Sequence, residues 1–84
     1  MSYSILILRR AQKELAQLPD AAYERVKNAI PRLAENPRPP GRRKLSGRDD
    51  CRIRVGDYRV IYEIDDAQQT VTVLHVGHRR DVYR

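Results

Sequence analysis

A chain of 84 residues and 9.8 kDa has room for one domain, residues 1–84, and buries only about 60% of the surface that its unfolded form exposes. Its net charge is +6, and fourteen of its seventeen basic residues are arginine. Arginine binds phosphate bidentately, so a nucleic acid is favoured over a membrane as the partner. The single cysteine, Cys51, excludes an internal disulfide bond, and no apolar run reaches the ~20 residues of a membrane span. We expect a cytoplasmic protein.

The first half of the chain predicts one strand and two helices. Residues 3–8 (YSILIL) are nearly all apolar, as in a strand that is covered on both faces. A helix over 9–18 follows, with Glu14 among the residues that face solvent and with a buried stripe of Ala11, Leu15 and Leu18. A second helix over 20–34 has the buried stripe Ala22, Val26, Ile30 and Leu33. Pro31 removes one backbone hydrogen bond there, so we expect a kink but no stop.

The second half predicts a basic loop and then strands only. Residues 35–44 contain three prolines and a glycine, which excludes a helix or a central strand. Residues 51–55, 58–64 and 70–76 alternate between apolar and polar side chains, with turns at 56–57 and 65–69. The order β-α-α-β-β-β predicts an α+β fold in which two N-terminal helices pack on one face of a small, mostly antiparallel sheet.

The two-residue turn Gly56-Asp57 fixes the register of its hairpin. Counting back from the turn places these residues opposite each other: Val55 and Tyr58, Arg54 and Arg59, Ile53 and Val60, Cys51 and Tyr62. One face of the hairpin is then the core side, where Cys51 is a small buried hydrophobe. The other face carries three arginines, and we call it the arginine face: Arg52, Arg54 and Arg59, together with Ile61 and Glu63.

Like charges directly opposite each other on a sheet repel, so the Arg54–Arg59 pair breaks a local rule. Such breaks often mark functional sites, here a site for an anion. The alternative is an ordinary solvated charge cluster in which Glu63 or the Asp49-Asp50 pair neutralises the arginines. Both interpretations remain open on the sequence of the hairpin alone.

The C-terminal segment 77–84 (GHRRDVYR) adds three arginines, a histidine and a tyrosine near the same face. Cations stabilise a phosphorane-like transition state, an aromatic ring stacks on an unpaired base, and histidine moves a proton near neutral pH. No Asp/Glu cluster indicates a metal site, so we expect no cofactor. A metal-independent hydrolase of this kind would act on RNA, whose 2′-hydroxyl is the nucleophile that DNA lacks.

Five stretches, in this order, resemble the RelE branch of the RelE/ParE toxin superfamily over nearly the whole chain: 10–15 (RAQKEL), 36–39 (NPRP), 44–47 (KLSG), 52–62 (RIRVGDYRVIY) and 77–83 (GHRRDVY). The resemblance implies the toxin of a type II toxin–antitoxin module. Toxins like RelE enter the ribosomal A site and cut the mRNA there, using the 2′-oxygen as nucleophile and leaving a cyclic phosphate.

The resemblance also implies roles for single residues. Arg52 and Arg54 stand where RelE has two functional lysines, and Arg59 matches the arginine of the next strand. Arg79 matches a tail arginine that assists the leaving group, and Tyr83 a tail tyrosine that stacks on the substrate. Further RNA contacts are expected from the basic loop and the tail: Arg42, Arg43, Lys44 and Arg80.

The identity of the proton acceptor is a separate question, because Arg54 replaces a lysine proposed as general base and a guanidinium stays protonated. Either catalysis relies on positioning and charge, or another group is the base. His78 is our candidate, since imidazole titrates near neutrality. His75, in an alternating strand, is expected to be structural.

The resemblance implies several partners: a cognate antitoxin, the ribosome with its mRNA, and an operator bound through the antitoxin. A second hypothesis is a ParE-like toxin that inhibits DNA gyrase without nuclease chemistry. The branches share a fold, so the site must decide between them. A third is a basic RNA-binding module, whose affinity would fall steeply with salt. The arginines of the face, with Arg79 and Tyr83, favour the nuclease.

Overall fold

The computed structural model describes residues 2–40, 43–44 and 50–78, with the backbone alone for 43 and 44. The predicted α+β class is confirmed: the described residues form a five-stranded sheet in the order β1-β5-β4-β3-β2 with helices against it. β1 runs parallel to β5, and the other neighbours are antiparallel. In chain order the elements are β1 (Ser4–Ile7), α1 (Arg9–Ala16), α2 (Asp20–Ala29), α3 (Arg32–Glu35), β2 (Arg43–Lys44), β3 (Asp50–Val55), β4 (Tyr58–Asp65) and β5 (Thr70–His78).

The helices cover one face of the sheet with the apolar stripes predicted from their spacing. Ala11 of α1 is buried, with Leu15 and Leu18 packed beside it. The second stripe follows the chain through α2 into α3, where Val26, Ile30 and Leu33 are buried. These side chains join the inward-facing residues of β3, β4 and β5 in one core cluster, which includes the predicted buried thiol of Cys51. Ala22, predicted to belong to the second stripe, is only half-buried and lies outside the core cluster. No described helix is long and apolar enough to cross a membrane.

Pro31 interrupts the second helix more than predicted. α2 ends at Ala29 and α3 begins at Arg32, so the expected continuous helix over 20–34 is wrong. The backbone nevertheless keeps helical dihedral angles through Ile30 (φ −59°, ψ −48°) and Pro31 (φ −61°, ψ −24°). The chain therefore loses hydrogen bonds at the proline while Leu33 still reaches the core, as its spacing required.

β1 differs from its prediction as a strand covered on both faces. It is an edge strand whose residues alternate in burial, and Leu6 is 56% exposed while Ile5 and Ile7 pack against the core. Because nearly every residue of this strand is apolar, the sequence gives no sign of the alternation in burial. An edge strand needs only one apolar face, and the exposed leucine stands on the other.

The proline-rich segment after α3 is fixed to the sheet at two points. The hydroxyl of Tyr62 donates a 2.6 Å hydrogen bond to the carbonyl oxygen of Pro37, and Arg38 donates two hydrogen bonds to the Asp66 carboxylate. The segment then ends in β2, which pairs with β3. The prediction of a loop throughout 35–44 is therefore wrong at its last two residues, which form a short edge strand.

The β3–β4 hairpin has the predicted register at every pair, including Arg54 opposite Arg59. The β4–β5 pairing shifts once, between Ile61 and Tyr62, because Ile61 faces His75 while Tyr62 faces Val73. Leu74 is the extra residue of this β-bulge. From His75 onward, the alternation of β5 is therefore displaced by one residue relative to its first half.

Candidate functional site

The arginine face is the side of the sheet opposite the helices, and the register places its residues in rows. The row nearest the hairpin turn contains Arg54, Arg59 and Gly77. The next row contains Arg52, Ile61 and His75. Gly77, which has no side chain, lies beside Arg59 in the first row.

Burial divides these arginines into different environments. Arg54 is exposed and Arg52 is half-buried, whereas Arg59 is only 8% exposed and Ile61 only 6%. The alternation of core and surface positions predicts that the whole face is open to solvent. The burial of Arg59 and Ile61 shows that only part of it is. A buried guanidinium keeps its charge at any physiological pH and is held in one place, and its field is weakly screened by water.

The acidic residues of the face form a row of their own. Asp50 lies opposite Glu63, next to Arg52 and two rows away from the Arg54–Arg59 pair. Among the described residues of these strands, this acidic row can balance Arg52 but is remote from the pair. Asp49, the other predicted neutralising residue, lies outside the described residues. The anion site and the neutralised charge cluster both stay predictions for the Arg54–Arg59 pair.

His78 lies on the other side of the sheet. It is paired with Tyr58, and the two rings meet edge to face with centroids 5.5 Å apart. Tyr58 packs against the core, and both residues line a cleft of about 340 Å³ with Leu18 and Pro19. By the register, His78 therefore lies on the opposite face of the sheet from Arg52, Arg54 and Arg59. The bulge at Leu74 explains this, because it decides which residues of β5 share a face with Arg59.

The match to known proteins covers almost the whole chain. Residues 5–83 match the family described as ParE toxin of type II toxin–antitoxin system. Toxin RelG of Mycobacterium tuberculosis is 36% identical, with 100% of this chain and 99% of that protein aligned. The chain belongs to the RelE/ParE superfamily of type II toxins.

Further relatives place the chain in the RelE branch. The mRNA interferase toxin RelE of Escherichia coli K12 is 33% identical over 94% of this chain and 85% of its own length. The archaeal RelE of a RelE–RelB complex from Pyrococcus horikoshii OT3 superposes with a TM-score of 0.84 at 32% identity, covering 98% of this chain and 100% of that one. The chain is therefore a RelE-like toxin of a type II module, as the sequence motifs had implied.

The RelE-like residues are only partly visible in the described structure. Arg52, Arg54 and Arg59 share one face, as predicted. The backbone of Arg43 lies opposite Arg52, and that of Lys44 opposite Cys51, so the basic loop ends beside β3. The remaining candidates lie outside the described residues and stay predictions: Arg42, Arg79, Arg80 and Tyr83.

Sequence reasoning missed a contact between α1 and β5 in this RelE-like fold. Glu14, predicted to face solvent, accepts a 2.9 Å hydrogen bond from the backbone N–H of Val76 through Oε1. Its other oxygen, Oε2, lies 3.5 Å from Nδ1 of His75. β1 ends alongside Val73, so beyond that residue α1 lies at the edge of β5 instead of β1. The Glu14 side chain there accepts a hydrogen bond from a strand N–H that has no neighbouring strand. The helical pattern alone could not show this, because the partner is 62 residues away.

Proposed function

We propose that this toxin is a metal-independent endoribonuclease that cuts mRNA in the ribosomal A site. The observation that carries the proposal is the Arg54–Arg59 pair at the hairpin end of the arginine face, with Gly77 beside it. Two cations on neighbouring strands at one end of the face can stabilise the negative charge that develops on a phosphodiester during cleavage. The name of the E. coli relative, mRNA interferase toxin RelE, supports the same activity.

In the proposed reaction the 2′-oxygen of the substrate attacks the adjacent phosphorus atom. The bond between phosphorus and the 5′-oxygen breaks, which leaves a cyclic phosphate on one fragment and a 5′-hydroxyl on the other. Arg54, being exposed, contacts the phosphate directly, while the buried Arg59 stabilises the negative charge from a fixed position. Arg79 assists the leaving oxygen and Tyr83 stacks on a base. The nucleophile belongs to the substrate, so the proposed steps require no metal ion.

The partners follow from the relatives. The P. horikoshii RelE was solved in a complex with RelB, and a M. tuberculosis RelBE2 toxin–antitoxin complex superposes with a TM-score of 0.82 at 28% identity. We infer that this toxin is likewise held by a cognate antitoxin, and that the complex binds its operator through the antitoxin. The toxin itself would contact the ribosome with Arg52, Arg80 and the loop residues Arg42, Arg43 and Lys44. A ribosome-dependent toxin acts in the cytoplasm.

The second candidate is a toxin that inhibits DNA gyrase, and the matching ParE family description favours it. Such a toxin needs a docking surface but no pair of cations around a phosphate. The nuclease accounts for two cations directly opposite each other at the hairpin end of the face. The two candidates therefore make opposite predictions about a variant that removes one of these charges.

The experiment is a cleavage assay on programmed ribosomes that carry mRNA in an otherwise empty A site, with mapping of the new 3′ ends. Naked mRNA is the parallel substrate. Arg54→Ala removes the exposed cation of the pair. Arg32→Ala, on the exposed side of α3, is the matched control because it lowers the net charge equally. A cut within the A-site codon that Arg54→Ala reduces about 100-fold and Arg32→Ala leaves intact supports the proposal.

A folded, growth-arresting toxin that leaves the mRNA intact would contradict the nuclease proposal. A supercoiling assay with DNA gyrase would then test the second candidate directly. Binding to RNA that weakens with salt and never leads to scission would indicate the generic RNA-binding module.

A further inference from the structure

The arginine face has an imidazole of its own. His75 lies opposite Ile61 in the second row, and it is diagonal to Arg59, which lies opposite Gly77. Diagonal neighbours on one face of a sheet have Cα atoms roughly 7–8 Å apart, within reach of long side chains. The side chain of His75 is 35% exposed, so part of its ring is in contact with solvent.

The Glu14 carboxylate lies beside this ring. Its Oε1 is held by the backbone N–H of Val76 at 2.9 Å, and its Oε2 faces Nδ1 of His75 at 3.5 Å. A carboxylate at Nδ1 favours the tautomer that carries its proton there, which leaves Nε2 as the proton acceptor. Contacts of this kind are often long in the free enzyme and shorten when the substrate is bound.

We propose that His75, oriented by Glu14, is the general base that takes the proton of the substrate 2′-hydroxyl. This inference rests on the proposed nuclease function. It assigns to His75 the role of general base, which a protonated Arg54 cannot perform. Nε2 of His75 accepts the proton as the 2′-oxygen forms its bond to phosphorus. The 5′-oxygen leaves and takes a proton from water, and the imidazolium then returns its proton to water. His75 would be a catalytic residue and Glu14 a positioning residue.

The charges around His75 come from three elements. Glu14 faces it from α1, with Oε2 3.5 Å from Nδ1. Arg59 of β4 lies diagonally on the face, and Arg52 of β3 lies in the same row beyond Ile61. The substrate phosphate would be bound by the same arginines, so the base and the anion site share one face. His78 has no such placement, because it lies with Tyr58 on the opposite face.

The test is the pH dependence of single-turnover cleavage on programmed ribosomes, from about pH 5.5 to about pH 8.5. For the wild-type toxin the rate should rise through the range in which an imidazole titrates and then level off. His75→Gln should lower the plateau about 100-fold and remove the rising limb. Glu14→Gln keeps an oxygen for the Val76 N–H but loses the carboxylate beside Nδ1, so the single-turnover rate at saturating ribosome should fall about tenfold while the affinity for the ribosome stays unchanged. Arg32→Ala is the control for the assay.

A second variant of His75 separates a loss of folding from a loss of the chemical step. His75→Ala should bind the ribosome and melt close to the wild-type temperature, and added imidazole should restore part of its cleavage rate. His75→Gln with wild-type rate and pH profile would overturn the inference while leaving the nuclease intact. Loss of the rising limb in His78→Gln instead of His75→Gln would overturn it in favour of His78. A wild-type toxin that never cleaves would remove the proposed function itself, and the inference with it.

Discussion

The hydroxyl of Tyr62 donates a 2.6 Å hydrogen bond to the carbonyl oxygen of Pro37 and so joins the centre of the sheet to the proline-rich segment. Tyr62 is fully buried in the core, and Pro37 is also buried. From this point the chain leads through the basic loop into β2, which lies beside Arg52. The contact therefore determines where the loop starts its path to the arginine face.

Tyr62→Phe should destabilise the toxin by about 1–3 kcal/mol, because it takes the hydroxyl donor away from a buried carbonyl group. The free energy of unfolding, measured by urea denaturation, tests this. Tyr23→Phe is the matched control, since Tyr23 is partly buried on α2 and the ring contact with Lys27 survives in phenylalanine. The control should change stability by less than about 0.5 kcal/mol. Equal effects of both substitutions would show that the Pro37 contact has no special weight.

The contact between Arg38 and Asp66, which also fixes the proline-rich segment to the sheet, predicts a pH dependence of stability. Asp66 accepts hydrogen bonds from Arg38 (2.8 and 3.2 Å) and from the Tyr3 hydroxyl (2.6 Å). These bonds, first that of Arg38, hold the pKa of the Asp66 carboxyl below its ordinary value of 3.8. Because the folded-state pKa is the lower one, the stabilisation is present above pH 3.8 and is lost as the pH falls through the folded-state value.

Asp66→Asn should therefore lower the melting temperature at neutral pH, and the difference from wild type should disappear at about pH 2. Thermal unfolding at both pH values is the measurement. Glu24→Gln removes an exposed carboxylate whose ion pair with Lys27 spans 3.8 Å, and it should have little effect at either pH. A deficit of Asp66→Asn that persists unchanged in acid would contradict the role given to the charge.

The sequence predicted local features of the fold well and distant ones poorly. The register from Arg54–Arg59 to Cys51–Tyr62 followed from a two-residue turn, because hairpin geometry propagates from neighbouring residues. The pairing of β1 with β5 joins residues about 66 positions apart, such as Ser4 and Thr70, and leaves no local signal. The edge position of β1 and the exposure of Leu6 were missed for that reason.

The candidate site was likewise predictable only in part. The arginine face followed from alternation, but the bulge at Leu74 changed which histidine of β5 belongs to it. No sequence pattern marks that bulge, since Leu74 is neither glycine nor proline. Glu14 was assigned to solvent because helical periodicity describes one helix and not the strand edge it covers. The polar contacts that define the second row were therefore found only in the structure.

The turn that fixes the hairpin makes a further prediction. Gly56 has φ +61°, and Asp57 has no positive φ, which is the type II′ pattern. An added Cβ at Gly56 would also lie 3.0 Å from Nη1 of Arg25, the end of a flexible side chain. The backbone conformation should dominate the cost, so Gly56→Ala should destabilise the toxin by about 1–3 kcal/mol.

The double variant Gly56→Ala/Arg25→Ala separates the two causes. The double variant removes the contact with Arg25 and keeps the unfavourable φ. Its free energy of unfolding in urea should therefore stay close to that of Gly56→Ala. Arg25→Ala alone shows how much the loss of the arginine itself contributes. Full recovery of stability in the double variant would show that crowding, and not backbone conformation, explains the glycine.

The Arg54–Arg59 pair predicts a trade between stability and activity. Arg54→Thr removes the repulsion between like charges and introduces a residue that suits a strand, so the free energy of unfolding should rise by about 0.2–1 kcal/mol. The gain in stability should shrink at about 1 M salt, which screens exposed charges. The same substitution should lower A-site cleavage about 100-fold.

Arg52→Thr is the matched control, because Arg52 lies beside the Asp50–Glu63 row and has acidic neighbours to lose. This substitution should not stabilise the fold. Stabilisation by both substitutions would mean that arginine is merely a poor strand residue here. A stabilised Arg54→Thr toxin that still cleaves at the wild-type rate would show that the repulsion serves no catalytic purpose.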